Sequence, residues 1–477
     1  MIRRLLTNAI ETALPSESAP HSHSFLKNDL ATFRWLATTG PCFPVHAKNI
    51  TILTEPDEFY STLITNCHNA KERITFASLY LGNGPLEKKM LDCIKSNLSY
   101  QHNTLSINIL LDFTRGSRYE SNSRTVLLPL INENNKLKVS LYHTPALRGL
   151  LKKYVPHRWN ELMGLQHMKL YIFDNTLIIS GANLSNDYFT NRQDRYFVIK
   201  DKSLCDFYCG LVNKVQDFSM SVDKNNNVVL SDNWDIMPYG SNNNTFIKKA
   251  AENIELYLHK SIAQQSICDK DKHDTWIFPL IQMGQLGIEH DAHVTNKLLA
   301  DAPPGSRLRI ATGYFNLTHE YMKTLTDYCQ ASCDILMAHP KANGFLGAKG
   351  LAGGIPYAYS VIAKDFKKMY EKRGQKQRIK LFEYYKEGWT YHAKGLWYYS
   401  PNSDVPCLTL IGSPNFGERS VKRDLETQIA LITEDPKLRE NLENECSRLY
   451  KMGTDAETDR KVPLWVNAFV IFFRSYF

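Results

Sequence analysis

The sequence predicts an α/β fold made of two similar α/β/α halves, each with a mixed sheet. The same order of strand and helix signals occurs twice, beginning at Ile74 and at Leu308. Each series ends in a His-x-Lys sequence that is followed by a turn of small residues with an Asn. Because chance does not readily produce that order twice, we interpret the chain as an internal duplication. We expect the halves to pack face to face around one shared active site.

The elements of the two halves correspond one by one. The first strand pattern is ITFASLYLG at 74–82 and LRIATGYFN at 308–316, with Ala and Tyr at the same offsets. A helical stretch follows each pattern, and two further apolar strands come after it. These later strands are predicted at 107–113 and 136–143 in the first half, and at 333–339 and 378–385 in the second half.

The repeat and the composition between its copies predict five segments. Residues 48–218 form the first half and residues 276–450 the second half, with 219–275 as an Asn-rich connector that contains a helical pattern. Residues 1–47 are an N-terminal segment, and residues 451–477 are an apolar tail.

The composition indicates a globular protein, and its mildly basic charge suits a phosphate-bearing partner, either nucleic acid or an anionic membrane. The chain of 477 residues has 57 Lys plus Arg and 49 Asp plus Glu, a formal charge of +8. An apolar share of 43% excludes disorder and coiled coil as the dominant state. The ten Cys include no C-x2-C pair, so neither zinc spacing nor a disulfide scaffold is indicated.

Both ends of the chain leave two readings open. The N-terminus carries Arg3 and Arg4 and has no acid before Glu11, which fits either a short mitochondrial transit peptide or an unstructured terminus. The last fifteen residues, 463–477, are aromatic and apolar but too short to span a bilayer. They fit an interfacial membrane anchor or a terminal element docked on the core.

The repeated motif carries the chemistry. His167, Lys169 and Asp174 fit H-x-K-x4-D, and His392 with Lys394 fits the first two positions of a second copy. Residues two apart on a strand point to the same face, so each His emerges beside its Lys. A phosphate between the halves would meet two imidazoles and two ammonium groups. One imidazole could attack phosphorus while the other protonates the leaving oxygen, and this arrangement requires no metal.

Asn and acidic residues follow each motif at matching distances. Asn183 and Asn415 close the small-residue turns, and Asp194 and Glu426 each come 11 residues later. An amide can stabilise the oxygens of a phosphoryl group as charge develops. An acid at this position can hold an imidazole by its second nitrogen and thereby fix its tautomer.

This pattern resembles the signature of the phospholipase D superfamily, a duplicated H-x-K-x4-D followed by G-[SG]-x-N. Within it, several stretches look similar to eukaryotic enzymes that transfer a phosphatidyl group: 35–45, 52–63, 74–82, 162–174, 391–399 and 411–428. The resemblance implies CDP-diacylglycerol as donor, glycerol 3-phosphate as acceptor, and phosphatidylglycerophosphate and CMP as products, on the way to cardiolipin. It also implies peripheral attachment to the anionic surface of the mitochondrial inner membrane.

The resemblance implies a role for each matching residue. His167 would be the nucleophile that forms a phosphatidyl-histidine, and His392 would be the general acid and then the general base. The remaining matches would support them: Lys169, Lys394, Asn183 and Asn415 at the phosphoryl oxygens, Asp194 and Glu426 at the imidazoles, and Asp174 as a structural member of the motif.

The chain departs from the family pattern at two positions. Tyr399 stands where the second motif Asp is expected, and Gly181 stands where the second copy has Ser413. A contact from a Ser hydroxyl to phosphate would therefore come from one side only. Arg419 and Arg423 follow the second Asn and are further substrate-binding candidates.

Several functions remain open on the motif alone, because water or any alcohol can resolve a phosphohistidine. The alternatives are phospholipid hydrolysis, cardiolipin or phosphatidylserine synthesis, and phosphodiester cleavage in nucleic acid. The modest charge and the lack of an Arg/aromatic stripe argue against nucleic acid. No Asp-Gly dipeptide occurs, so the D-x2-D-G metal signature of other CDP-alcohol transferases is absent. We expect no cofactor in the chemical step, although divalent cations could stimulate it by neutralising the diphosphate.

Overall fold

A computed structural model describes residues 26, 28–100, 105–155, 159–264, 273–348 and 353–474. The targeting signal predicted near the N-terminus and the last three residues of the apolar tail lie outside these ranges. In the part of the chain that the structure describes, no helix is both long and apolar enough to cross a membrane.

The first part of the chain alternates strands and helices. Its strands are β1 (Phe43–Val45), β2 (Ile50–Leu53), β3 (Arg73–Ala77), β4 (Ser106–Asp112), β5 (Leu137–Tyr142), β6 (Leu170–Phe173), β7 (Thr176–Ser180), β8 (Arg192–Gln193), β9 (Tyr196–Lys200), β10 (Met220–Val222) and β11 (Val228–Leu230). Its α-helices are α1 (Pro56–Asn69), α2 (Pro85–Tyr100), α3 (Phe113–Gly116), α4 (Ser123–Glu133), α5 (Gly149–Tyr154), α6 (Asn186–Thr190), α7 (Lys202–Asp217) and α8 (Asn243–Ala263).

The second part repeats this alternation. Its strands are β12 (Thr275–Met283), β13 (Ile288–Glu289), β14 (Arg307–Thr312), β15 (Ser332–Ala338), β16 (Ile379–Tyr384), β17 (Thr390–Tyr391), β18 (Gly395–Tyr399), β19 (Leu408–Gly412), β20 (Leu425–Thr433) and β21 (Gly453–Asp455). Its α-helices are α9 (His290–Ala300), α10 (His319–Asp327), α11 (Ile355–Lys372), α12 (Glu418–Lys422), α13 (Pro436–Tyr450) and α14 (Leu464–Phe473).

The two large sheets share one strand order, which confirms the predicted duplication. The first sheet runs β11-β10-β5-β4-β3-β6-β7-β9-β2, and the second runs β1-β12-β20-β19-β18-β14-β15-β16-β21. In each sheet three parallel strands, β3 to β5 or β14 to β16, continue into an antiparallel group. The shared run is β5-β4-β3-β6-β7-β9 in one half and β16-β15-β14-β18-β19-β20 in the other.

The segment boundaries predicted from the sequence differ from the structure at three places. The connector predicted from 219 contributes β10 and β11 to the first sheet, and Tyr257 of α8 donates a hydrogen bond to the Phe207 carbonyl of α7 at 2.6 Å. Strand β1 lies in the predicted N-terminal segment but pairs with β12 of the second half. Strand β21 lies in the predicted tail and forms the edge of the second sheet beside β16.

The halves meet through backbone hydrogen bonds next to the two motifs. The His167 amide donates to the Leu425 carbonyl at 2.9 Å, and the His392 amide donates to the Gln193 carbonyl at 2.8 Å. Strand β8 of the first half and β17 of the second pair in parallel at the same place. These bonds set the position of each motif relative to the opposite sheet.

A buried ion pair also joins the halves. The Arg195 guanidinium donates two hydrogen bonds of 2.8 Å to the Glu445 carboxylate on α13, and Trp397 donates a third to it at 2.9 Å. Arg195 also donates to the Leu410 carbonyl at 2.8 Å. Both charged side chains are almost fully buried, at 1% and 2% exposure. Removal of either would leave the other charge without a partner in the interior.

We predict that Glu445→Ala lowers the free energy of unfolding by about 3–5 kcal/mol, because it leaves the Arg195 charge buried and unpaired. Urea denaturation would measure the change. Glu440→Ala is the matched control on the same helix, since Glu440 forms an exposed ion pair with Lys437 and should cost less than about 1 kcal/mol. A similar small loss for both variants would contradict the prediction.

Candidate active site

Each His-x-Lys immediately precedes the central antiparallel strand of its sheet. His167 and Lys169 lead into β6, and His392 and Lys394 lead into β18. All four side chains are buried where the halves meet. The positive charge of Lys394 acts on His167 and that of Lys169 acts on His392. The structure therefore brings the two predicted pairs into one site.

The two acids contact the imidazoles across the interface between the halves. Glu426 Oε1 lies 2.9 Å from Nδ1 of His167, and Asp194 Oδ2 lies 2.7 Å from Nδ1 of His392. Each histidine is thus held by an acid from the other half. A carboxylate that accepts the Nδ1 proton leaves Nε2 with its lone pair toward the site.

The crossing follows from the backbone contacts between the halves. His167 hydrogen bonds to Leu425, the residue before Glu426, and His392 hydrogen bonds to Gln193, the residue before Asp194. The next residue in each case is the acid whose carboxylate contacts the imidazole of the opposite half, Glu426 in β20 and Asp194 directly after β8. The same register places both acids.

The two lysines are held close to the imidazoles. Lys169 donates a hydrogen bond of 2.6 Å from Nζ to the carbonyl of His167. Lys394 Nζ lies 2.7 Å from Nδ1 of His392 and 3.6 Å from Asp194 Oδ2. Burial lowers the pKa of both ammonium groups, and the carboxylates Glu426 and Asp194 oppose this change. Both ammonium groups are therefore already held near the position where a phosphoryl group would bind.

Both histidines are held in the neutral form. Burial lowers the pKa of His167 well below 6.5, the Lys169 charge lowers it further, and the Asp424 carboxylate partly opposes this. Burial also lowers the pKa of His392 well below 6.5, followed by the charges of Lys394 and Arg192. A neutral imidazole has the lone pair that a nucleophile or a general base needs.

The structure explains why Gly181 replaces the Ser of the family pattern. A Cβ at this position would lie 2.5 Å from Lys394 Nζ and 2.7 Å from Asp194 Oδ1. A side chain at this position would therefore displace Lys394 and Asp194 from where they lie, and glycine leaves both in place. In the second copy, Ser413 donates to the Thr427 carbonyl at 3.1 Å and accepts from its amide at 3.2 Å.

Both motif asparagines have an open hydrogen-bonding position. Asn183 donates from Nδ2 to the Tyr188 hydroxyl at 3.0 Å, and the backbone N–H of Asn415 donates to the Ser420 hydroxyl at 3.1 Å. The Oδ1 atoms of Asn183 and Asn415 are buried without a hydrogen-bond partner. A buried amide oxygen without a partner can accept a hydrogen bond from a ligand, such as that of a hydroxyl group, while the Nδ2 hydrogens remain the donors that could face phosphoryl oxygens.

Asp174 does not lie in the site, although the motif groups it with the catalytic residues. It lies in the turn between β6 and β7 with a φ of 50°, and its carboxylate accepts the amides of Lys71, Glu72 and Arg73 at 2.8–3.0 Å in their shortest contacts. This corrects its grouping with the catalytic residues and agrees with the structural role that the resemblance implies. Asp174 fixes a turn at the far end of the strand.

Tyr399, at the corresponding end of β18, also points away from the chemistry. Its hydroxyl donates to Glu443 at 2.6 Å, and the Arg307 guanidinium lies 4.0 Å from the centre of its ring. The loss of the second motif Asp thus changes a structural position and leaves the His392 and Lys394 geometry intact.

The two arginines proposed as substrate ligands are placed differently. Arg419 donates from Nε to Asp424 at 2.9 Å, and Asp424 also accepts the Leu165 amide at 2.9 Å beside His167. Arg423 follows α12, and its amide donates to the Arg419 carbonyl. Arg419 therefore reaches the centre, whereas Arg423 is placed here only by its backbone, at the end of α12.

Sequence reasoning missed three residues around the histidines, Tyr188, Asp424 and Arg192, and placed a fourth, Tyr314, only in the repeated strand pattern. The Tyr188 hydroxyl lies 3.4 Å from His392 Nε2, and the Tyr188 and Tyr314 rings stand edge-on to His392 at 5.1 and 5.4 Å. Two further charged residues act on the imidazoles, Asp424 on His167 and Arg192 on His392. A comparison of the halves at equal offsets from the motif Asn could have found Arg192 and Asp424, since both stand nine residues after it.

One group of side chains has the composition of a metal site. His167, Asp424 and Glu426 each bring a ligand atom within 4.8 Å of the other two. All three already bind protein groups, since Glu426 contacts His167 Nδ1 and Asp424 accepts from Arg419. A cation there would compete with the hydrogen bond that orients His167.

Comparison with known proteins gives one family-model match and several relatives that extend over most of the chain. Residues 63–214 match the family model described as cardiolipin synthase, PLD-like domain. A human protein named mitochondrial CDP-diacylglycerol–glycerol-3-phosphate 3-phosphatidyltransferase is 40% identical, over 99% of this chain and 91% of its own length. A Saccharomyces cerevisiae protein with the same activity in its name is 34% identical, over 86% and 83%.

A solved structure shares the fold. Phosphatidylserine synthase of Haemophilus influenzae superposes with a TM-score of 0.71 at 21% identity and covers 94% of this chain and 97% of its own. The similarity spans both halves, so it supports the arrangement of two duplicated halves around one centre.

We predict that His167 and His392 both stay neutral at pH 6.5, because burial and the adjacent lysines disfavour the imidazolium. Each should protonate only well below that pH. Nitrogen NMR of histidine-labelled protein would measure this, with His167→Gln and His392→Gln for assignment. The urea-unfolded chain is the control, in which both should titrate near about 6.5. Titration at that value in the folded chain would contradict the prediction.

Proposed function

The chain belongs to the CDP-diacylglycerol–glycerol-3-phosphate 3-phosphatidyltransferase family, and from this membership we propose how its two-histidine site works. The function is transfer of the phosphatidyl group of CDP-diacylglycerol to glycerol 3-phosphate, which yields phosphatidylglycerophosphate and CMP. The observation that supports this most directly is the pair of His-x-Lys motifs oriented by crossing acids in one buried centre.

In the first step, Nε2 of His167 attacks the phosphorus of the phosphatidyl group. The bond from that phosphorus to the bridging oxygen of the diphosphate breaks, and His392 gives its proton to this oxygen of CMP. The negative diphosphate raises the pKa of His392 on binding, so that His392 takes up this proton from solvent. The proton that His392 accepts in the second step returns to solvent when the products leave. The product of the step is a phosphatidyl-histidine.

In the second step, His392 takes the proton of a glycerol 3-phosphate hydroxyl. The hydroxyl oxygen attacks phosphorus, and the bond to His167 breaks and restores the neutral imidazole. Lys169, Lys394 and the motif asparagines stabilise the phosphoryl oxygens in both steps. Two in-line displacements retain the configuration at phosphorus.

The chemical step needs no metal in this scheme, because the ammonium groups supply the positive charge and the imidazoles move the protons. We expect divalent cations, where they stimulate, to act on the diphosphate or on the membrane surface. The alternative reactions named above differ only in the acceptor that resolves the phosphatidyl-histidine, so the acceptor is what an experiment must vary.

The test uses the purified protein with labelled CDP-diacylglycerol in detergent micelles and one acceptor at a time: glycerol 3-phosphate, glycerol, phosphatidylglycerol or water. We expect CMP release that depends on glycerol 3-phosphate and is lost in His167→Ala and in His392→Ala. Release with water or phosphatidylglycerol alone would assign the site to a hydrolase or a cardiolipin-type synthase. No release from folded protein would reject the lipid transfer and make nucleic acid the next substrate to test.

The orientation of the imidazoles yields a second prediction. Asp194→Asn should lower kcat by on the order of 10²–10⁴-fold, because an amide can stabilise the wrong tautomer of His392 and cannot compensate its charge. Asp206→Asn is the control, since Asp206 forms its ion pair with Arg73 away from the site. An Asp194→Asn enzyme with the wild-type kcat would reject the orienting role.

We propose peripheral attachment at the mitochondrial inner membrane. The substrate is a bilayer lipid, and the human relative is named mitochondrial. Helix α14 buries Val466 and Val470 but leaves Leu464 and Ile471 exposed at 88% and 78%. Helix α5 likewise exposes Leu150 beside basic residues. Apolar and basic side chains together favour an anionic lipid surface.

We predict that Leu464→Ser with Ile471→Ser reduces co-sedimentation with cardiolipin-containing vesicles, because both side chains would enter the interfacial layer. The control is Leu256→Ser, an exposed leucine on α8. Carbonate or high salt should release the wild-type protein from the vesicles. Unchanged binding of the double variant would place the membrane contact elsewhere.

A further inference from the structure

The segments after the two motif asparagines carry ion pairs of opposite polarity. Four and nine residues after Asn183 stand Asp187 and Arg192, and the corresponding positions after Asn415 are Arg419 and Asp424. Each half joins its two residues in an ion pair. The duplication therefore preserves the pair but exchanges its signs, and the two sides of the centre differ in charge.

The two ion pairs also differ in how far the acid neutralises the arginine. Asp424 is 2% exposed and Arg419 21% exposed, and their atoms are 2.9 Å apart, so this pair is closed. Asp187 is 59% exposed and 3.1 Å from Arg192, so water screens much of its attraction. Arg192 itself is only 14% exposed. The positive charge of Arg192 is consequently less neutralised by its acid than the positive charge of Arg419 is.

Arg192 lies on the His392 side. Its guanidinium carbon is 4.6 Å from the centre of the Tyr188 ring, and the Tyr188 hydroxyl is 3.4 Å from Nε2 of His392. The Arg192 charge lowers the pKa of His392, after burial and Lys394. No such effect of Arg192 is among the main causes that shift His167. The cation thus stands beside the general acid and base.

The guanidinium is held in place before a ligand arrives. Arg192 donates from Nε to the Thr390 hydroxyl of the other half at 2.9 Å. Its Nη2 and the Tyr314 hydroxyl each lie 3.3 Å from the point where a Cβ on Gly344 would be. Glycine keeps that space free of a side chain, next to a fixed planar donor. Such a donor suits the paired oxygens of a phosphate.

We propose that Arg192 binds the phosphate monoester that enters or leaves on the His392 side. The inference rests on the proposed function, in which His392 faces the departing CMP and then the incoming hydroxyl of glycerol 3-phosphate. Both ligands carry a phosphate monoester close to the oxygen that His392 protonates or deprotonates. Arg192 recognises that shared group and so separates glycerol 3-phosphate from acceptors without phosphate.

The test compares Arg192→Gln and Arg192→Lys with Arg73→Gln. The last is a matched control, because Arg73 also has its Nε bonded and its terminal nitrogen paired with a half-exposed acid. The measurements are KM for glycerol 3-phosphate, inhibition by CMP, and the rate with molar glycerol as a phosphate-free acceptor. Thermal melting checks that each variant is folded.

We expect Arg192→Gln to raise KM for glycerol 3-phosphate about 10–100-fold and to lower the rate with glycerol by a clearly smaller factor, because glycerol brings no phosphate to this position. Arg192→Lys should recover part of the loss. A parallel weakening of CMP inhibition assigns one subsite to both phosphates, and weakening of CMP inhibition alone assigns it to the nucleotide. Unchanged values for both ligands, or an equal loss with glycerol, overturn the proposal.

A failure of the proposed function would show itself differently. The wild-type enzyme would then release no CMP in response to glycerol 3-phosphate, whatever the state of Arg192. In that case thermal melting still tests the subsite. It measures how far CMP and inorganic phosphate stabilise the wild-type protein and Arg192→Gln. Equal stabilisation of both proteins rejects it.

Discussion

The hydrogen bonds from each imidazole to a carboxylate of the opposite half are the contacts on which the rest of the site depends. Glu426 contacts His167 and Asp194 contacts His392, so neither half holds a histidine together with the acid that orients it. The backbone bonds to Leu425 and Gln193 set the register of this exchange. The buried Arg195–Glu445 pair holds the same interface from the side. Correct docking of the halves and assembly of the site are therefore one event.

The sequence predicted the two matching halves, since the order of strands, helices and motifs along the chain follows from local patterns. It could not predict which acid serves which histidine, because the spacing inside a half is the same for a crossed or an uncrossed pairing. Only the packing of the halves decides this. Strands β1, β10 and β11 were missed for a different reason. They have three residues each, and pairing with a longer neighbour stabilises them more than their own composition does.

The two copies differ at several positions around the two histidines, so the centre is not symmetric. Gly181 and Ser413 differ because Lys394 occupies the space that a side chain at 181 would fill. Tyr188 and Arg192 surround His392, whereas Asp424 stands near His167. A nucleophile and a proton donor require different surroundings. The duplicated fold gives both histidines the same contacts with a lysine and an acid. The segments after the two asparagines give each histidine different neighbours.

The charges of the centre connect substrate binding with proton transfer. Two lysines and the acids Asp194 and Glu426 offset one another, and burial disfavours a further positive charge on either imidazole. A bound diphosphate changes this balance, because its negative charge stabilises an imidazolium at His392. In the proposed mechanism, the substrate thus charges the proton donor that its own departure requires. In the empty site burial favours the neutral form of both imidazoles, and in this form His167 keeps the lone pair that the proposed attack uses.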